Sequence, residues 1–148
     1  MTLLDIVDGV KTLLEKHFPG ETVHLNYAPK GFERPAFLVE GGPVTVDQMG
    51  GGYVGFDVGV KITWFTAVDP YHNSQVEALM RRLAQVLALF YPGYVPIGDR
   101  RPHVDALKGD YGMDFAWLDA TLHFNEPFEV GETAPLMEEV ELNLKEER

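Results

Sequence analysis

The sequence predicts an α+β fold, in which a mostly antiparallel sheet of about four to six strands carries two helices packed on one face. Two observations predict it: apolar residues recur at three- and four-residue steps in two segments, and they alternate strictly with other residues elsewhere. No repeat or linker divides these segments. We therefore expect a single domain over residues 1–128, followed by an acidic extension over residues 129–148.

Two segments have the periodicity of amphipathic helices. The first begins at Leu3 after a capping Thr2 and stops at Pro19-Gly20. The second begins after a capping box at Ser74 and continues to Phe90. The apolar faces comprise Leu3, Ile6, Val7, Val10, Leu13, Leu14 and Phe18 in the first helix, and Val76, Leu79, Met80, Leu83, Val86, Leu87 and Phe90 in the second.

The clearest strand pattern lies at residues 53–66. Its apolar residues stand at even positions and alternate with polar or small ones: Val54, Phe56, Val58, Val60, Ile62 and Trp64. Because this run exceeds the usual length of about 5–6 residues, part of it is expected to project beyond the core as a hairpin arm. Shorter strands are predicted at residues 23–27, 34–40, 44–46, 103–108 and 115–124, with a turn at 109–112.

The glycine-rich segment 41–52 has the composition of a phosphate-binding loop but not its context. No Lys-Ser/Thr pair follows Gly50-Gly51-Gly52, and no helix begins there. A hairpin or an extended loop is the favoured interpretation.

Composition excludes several classes of function. A formal net charge of −11 opposes binding to nucleic acid or to an anionic membrane surface, because both need clustered Lys and Arg. The absence of cysteine excludes disulfides and thiolate metal sites. No run approaches the ~18 apolar residues of a transmembrane helix. Asp5 and Asp8 lie within the apolar N-terminal stretch, which is therefore expected to be a helix of the fold rather than a signal peptide.

Histidines and carboxylates offer weak candidates for a site. His103 and Asp105 share one strand face, and Asp119 and His123 share another, so the four would cluster if those strands pair. No recognised ligand motif is present, and a solvated polar face is favoured over a metal site. Asp57, Asp119 and His123 could serve a small acid–base enzyme or ligand-binding domain. We expect no catalytic residue and no cofactor, because no nucleophile, base and orienting partner converge.

Three arginines stand at strand entries or in a turn. Arg34 precedes Pro35, and Arg100 and Arg101 follow Gly98-Asp99. The planar guanidinium suits either a subunit interface or an ion pair with nearby Glu33 or Asp99. The sequence leaves both open.

Several segments, taken in order, resemble one protein family. The opening helix is followed by "GFERPAFLVE" and the long alternating strand, and the second helix by "IGDRRPHVDAL", "DFAWLDATLHFNEPF" and "MEEVELNLK". This arrangement is similar to the tail terminator proteins of long-tailed phages, prophages and defective phage-like particles. The resemblance extends from Leu3 to about Leu144.

The resemblance implies a virion structural protein without catalytic residues. Such proteins form a homo-oligomeric ring, commonly a hexamer, at the head-proximal end of the tail tube; they stop tube polymerisation and offer a surface to head-completion proteins. The resemblance also implies assembly in the bacterial host cytoplasm and a location in the virion tail, where DNA passes through the ring. Another neck or tail completion protein is the alternative within this class.

Expected subunit contacts lie on the long strand, on the arginines and on the C-terminal extension. The predicted interface residues are Arg34, Arg100, Arg101, Asp57, Lys61, Val140 and Leu142.

Overall fold

The chain folds as two helices and five strands in the computed structural model, which describes residues 1–67 and 76–128. In chain order the elements are α1 (Leu3–His17), β1 (Thr22–Leu25), β2 (Ala36–Gly50), β3 (Tyr53–Phe65), α2 (Val76–Ala88), β4 (His103–Tyr111) and β5 (Phe115–Pro127). The strands form one sheet in the order β1–β2–β3–β5–β4. β1 runs parallel to β2 and the other neighbours are antiparallel, so the predicted α+β class is confirmed.

Both helices pack on the same face of this sheet. Ile6 and Val10 of α1 and Leu79 of α2 are completely buried in one cluster. Val58 and Ile62 of β3 belong to the same cluster, as the alternation predicted. The sheet therefore has one face covered by helices and one polar face.

Local sequence explains where α1 begins. The Thr2 hydroxyl accepts a hydrogen bond from the Asp5 amide, and the Asp5 carboxylate accepts one from the Thr2 amide. This reciprocal cap matches the predicted start. The predicted cap of α2 at Ser74 lies outside the described residues. Among those residues, no helix is long and apolar enough to cross a membrane.

β4 continues through the glycine that was assigned to a turn. It extends to Tyr111, and the chain reverses after it. A Cβ at Gly109 would lie 3.0 Å from both Leu83 Cδ1 and the carbonyl oxygen of Trp117. Gly109 is therefore required by the close approach of α2, and the predicted turn at 109–112 is wrong for its first three residues.

β2 also continues through residues 41–43, which were expected to separate two shorter strands. It passes Gly41 and Gly42 by a bulge and turns into β3 at Gly51-Gly52. A Cβ at Gly42 would lie 3.1 Å from the Gly59 carbonyl carbon, so glycine allows the two backbones to approach. The glycine-rich segment is thus part of a long hairpin, the first of the two forms favoured from the sequence.

Candidate assembly surface

The distal part of the β2–β3 hairpin is exposed along its β2 strand. β1 pairs with β2 only over Ala36–Val39, and every residue of β2 from Gly41 to Gly50 is exposed. A Cβ at Gly41 would be 3.7 Å from Val7 of α1. Residues 44–56, here termed the hairpin arm, continue past this contact. Within the arm, β3 still pairs with β5 as far as Tyr53 opposite Pro127, and only the β2 strand is exposed throughout. Projection of the arm beyond the core, expected from the length of β3, stays a prediction.

An apolar row follows one face of the hairpin arm. Val44 lies opposite Val58, and Val46 lies opposite Phe56. The Phe56 ring stacks on Phe124, with ring centres 5.1 Å apart. Directly opposed residues point to the same face, so this row continues the apolar face of the sheet. Val44 and Val46 nevertheless remain 39% and 53% exposed. Exposed apolar surface that continues a core is typical of an interaction site.

The outer edge of the hairpin arm has no strand partner within the described residues. The Asn26 amide donates to the Val39 carbonyl oxygen, and the Asn26 side-chain oxygen accepts from the Gly41 amide. Because β1 ends there, the pairing on this side of β2 stops at Gly41. Residues 1–67 and 76–128 provide no strand for this edge of the arm, and an edge of this kind can pair with another chain.

A second open edge lies on the opposite side of the sheet. At the start of β4, the Val104 amide donates to the Gly93 carbonyl oxygen. In the part of the chain that the structure describes, no strand pairs with the outer side of β4 beyond this point. The two open edges differ in sequence and position, which is the arrangement that head-to-tail contacts between copies require.

On the polar face of the sheet, His123 lies between two strands that bear carboxylates. Its Nδ1 is 2.8 Å from Asp57 Oδ1, and its Nε2 is 3.1 Å from the side-chain oxygen of Asn125. The hydrogen bond with Asp57 raises the pKa of the His123 imidazole, and the charges of Asp57 and Asp105 act in the same direction. The polar face thus brings together His123, Asp105 and Asp57.

Asp119 does not join this cluster. It lies opposite Lys61 and Lys108 in the sheet register, whereas Asp57 lies opposite His123. Four residues along β5 correspond to about 13 Å. Both predicted groupings that include Asp119, one with His103, Asp105 and His123 and one with Asp57 and His123, are therefore wrong for Asp119, because the antiparallel register places it beside lysines and places Asp57 beside His123. Lys61 contacts the Trp117 ring at 5.4 Å from its centre.

The predicted arginines contact groups remote in sequence. Arg34 Nη1 is 2.9 Å from Asp114 Oδ2, and its guanidinium lies 5.1 Å from the centre of the Phe65 ring. Arg100 is 2.9 Å from Glu126. Arg101 lies over the ring of Tyr94. The ion pairs of Arg34 and Arg100 thus involve Asp114 and Glu126, rather than the nearby Glu33 and Asp99. Val140 and Leu142 lie outside the described residues.

The geometry alone suits either a structural subunit or a small enzyme or ligand-binding domain. A comparison with protein families decides between these two classes. A model described as phage tail terminator protein matches residues 5–134 of the chain. The chain belongs to the phage tail terminator family. No curated protein matches it. Membership confirms the resemblance found in the sequence over most of the chain.

This tail terminator has a structural role in phage tail assembly. Its family is one of phage tail proteins rather than enzymes, and it implies a location in the virion tail and contact with other tail or head proteins. The sequence patterns placed Val44, Val46 and Phe56 in strands and predicted a projecting arm, but they did not show that Val44 and Val46 stay exposed while Phe56 packs against the core. That difference depends on where β1 ends and on what packs against the sheet, which periodicity within one strand does not reveal.

Proposed function

We propose that this tail terminator forms a ring at the head-proximal end of the tail tube, stops addition of tube subunits and provides the surface for a head-completion protein. The hairpin arm carries the proposal, because it joins an open backbone edge to an exposed apolar row at Val44 and Val46. A monomer gains nothing from this arrangement, whereas a neighbouring subunit can bury the row and pair with the edge.

The two open edges support a closed ring of identical subunits. In a head-to-tail contact, the β2 edge of one copy meets a different surface of the next copy, and the contacts close if the rotation is correct. The outer side of β4 is the surface that we propose for this role, since no strand of the described residues pairs with it beyond Val104. A hexamer is the number expected from the family resemblance.

Charged residues and the C-terminal extension complete the proposed contacts. Lys61 is exposed on the polar face, and Arg101 is exposed beside Tyr94. In the extension 129–148, Val140 and Leu142 alternate with polar residues as in a strand. We propose that this acidic extension reaches a neighbouring subunit and meets such cations there, with Arg34 and Arg100 adding contacts at the same boundary.

Net charge supports passage of DNA through the ring. A net charge of −11 repels phosphate, so the duplex is not held as it moves. The proposed partners are therefore other copies of the chain, the tube protein and a neck protein, with no specific binding of nucleic acid.

Polymerisation of the cognate tube protein in vitro tests the proposal. Tube lengths are measured by electron microscopy with and without the purified protein, and ring mass is measured by light scattering under both conditions. We expect added protein to shorten tubes and to be seen at one end. Tubes that reach their usual length with the protein at equimolar concentration would overturn the proposal.

A further inference from the structure

Three side chains on the polar face form a cluster of metal-ligand type. Asp57 of β3, His123 of β5 and Asp105 of β4 place their ligand atoms within 4.8 Å of one another. His103 lies beside this cluster, with its Nε2 3.5 Å from Asp105 Oδ1. Three adjacent strands therefore contribute one imidazole and two carboxylates to one place, next to a second imidazole.

A β-bulge lies on the β4 side of this cluster. His103 lies opposite His123, but the register shifts between Val104 and Ala106, so Asp105 is the extra residue. Alternation along the strand already places His103 and Asp105 on the same face. The bulge leaves Asp105 without a directly opposed residue on β5, so its side chain is not fixed in register with Thr121.

The spacing of these groups suits a small divalent cation. Bonds of 2.0–2.2 Å in a tetrahedral site place neighbouring ligand atoms about 3.4 Å apart. The observed separations are 2.8 Å between His123 Nδ1 and Asp57 Oδ1, and 3.5 Å between His103 and Asp105. These two pairs are close to that spacing, whereas the ring of His103 has to turn to reach the other ligands.

The surroundings of His123 are those of a histidine ligand. In the structure Nδ1–H donates to Asp57 Oδ1 at 2.8 Å. An ion would take the place of this proton, and Nε2–H, which can donate to the side-chain oxygen of Asn125 at 3.1 Å, would hold the ring in position. Histidine ligands are commonly oriented by such a bond on the second ring nitrogen. The His123 and Asp57 side chains are about one-third exposed, so an ion can enter from solvent.

We propose that Asp57, Asp105 and His123 bind a Zn²⁺-class divalent cation, and that His103 turns its ring from Asp105 to supply a fourth ligand. Imidazole and carboxylate ligands together favour Zn²⁺ and its neighbours in the first transition row, whereas Mg²⁺ prefers oxygen ligands in octahedral geometry. The ion would connect β3, β5 and β4. The site is independent of the ring proposed above, and a bound ion would stabilise each subunit.

Calorimetric titration of the chelator-treated full chain with Zn²⁺, and separately with Mg²⁺, tests this site. We expect one Zn²⁺ per chain, a higher melting temperature with Zn²⁺, and neither effect with Mg²⁺ at the same concentration. His123→Gln and Asp57→Asn should each weaken Zn²⁺ binding by at least about tenfold. Asn125→Ala should weaken it less, because Asn125 only orients the ligand.

Two variants outside the cluster serve as matched controls. Asp119→Asn removes a carboxylate from the same face of β5, and His17→Gln removes an exposed histidine on α1. Both should bind Zn²⁺ like the unmodified chain. Circular dichroism confirms that each variant is folded before titration. If His123→Gln binds one Zn²⁺ as tightly as the unmodified chain does, or if the unmodified chain binds none, the site does not exist.

Discussion

Arg82 Nη1 of α2 lies 2.8 Å from Glu21 Oε2, at the start of β1. The same guanidinium is 4.3 Å from the centre of the Phe18 ring and 4.8 Å from that of Trp64. Glu21 also accepts a hydrogen bond from the Trp64 indole. Both charged side chains are about one-fifth exposed. This contact joins the end of α1, the sheet and α2.

Arg82→Ala is expected to lower the free energy of unfolding by about 2–3 kcal/mol, because it leaves Glu21 partly buried without its cation and removes the contacts with the rings. Arg81→Ala is the control: its ion pair with Glu77 is largely exposed, and its loss should cost less than about 0.5 kcal/mol. Urea unfolding measures both. Equal losses in the two variants would show that the contact with Glu21 is not stabilising.

Periodicity predicted the helices and the long strand because their pattern is local. Alternation within residues 53–66 predicted which face of β3 is buried without knowledge of its neighbours. The apolar faces of the two helices predicted the layer that packs against it. The role of Arg82 could not be predicted, because its partners belong to three separate segments. The cluster at His123 was found only in part. Alternation grouped His123 with Asp105, but the register between β3 and β5, which brings Asp57 to His123 and places Asp119 opposite Lys61, cannot be read from one strand.

Gly59 is expected to resist substitution more strongly than Gly55, although both lie in β3. A Cβ at Gly59 would be 3.1 Å from the Pro43 ring in the bulge of β2. At Gly55 the nearest atom is the sulfur of Met49, whose flexible side chain can move. We expect Gly59→Ala to cost about 1–3 kcal/mol and Gly55→Ala about 1 kcal/mol or less in urea unfolding. A larger loss of stability in Gly55→Ala than in Gly59→Ala would contradict the importance of the close contact between Gly59 and Pro43.

Arg34 is expected to affect assembly more than folding. Its ion pair with Asp114 is partly exposed, so Arg34→Ala should reduce stability by no more than about 1 kcal/mol. Asp114→Asn removes the same ion pair but keeps the guanidinium. If Arg34 contacts a neighbouring subunit, Arg34→Ala weakens ring formation in light scattering and Asp114→Asn does not. Equal weakening would assign the effect to the ion pair within one subunit.

Glu126 is expected to make stability fall in acid. A hydrogen bond from the Met1 ammonium lowers the pKa of its carboxyl group, and Arg100 adds to the effect. A lowered carboxyl pKa stabilises the fold above the unfolded pKa of about 4.3, and this contribution is lost as the pH falls through the folded pKa. Thermal unfolding from pH 6 to 3 should therefore show a steeper acid loss in the unmodified chain than in Glu126→Gln. Parallel curves would mean that Glu126 makes no such contribution.

Replacing the apolar row of the hairpin arm should separate assembly from folding. Val44 and Val46 are already exposed in one subunit, so the double variant Val44→Ser with Val46→Ser should change the free energy of unfolding by about 1 kcal/mol or less. In a ring, the same change leaves hydroxyl groups where a neighbour would bury methyl groups, so the ring should dissociate and tubes should grow longer. Thr45→Ala with Asp47→Ala alters the opposite face of the arm and is the matched control. Light scattering and tube length are measured for both variants after circular dichroism has confirmed their fold. A serine variant that forms rings and stops tubes as well as the unmodified chain would remove the apolar row from the interface.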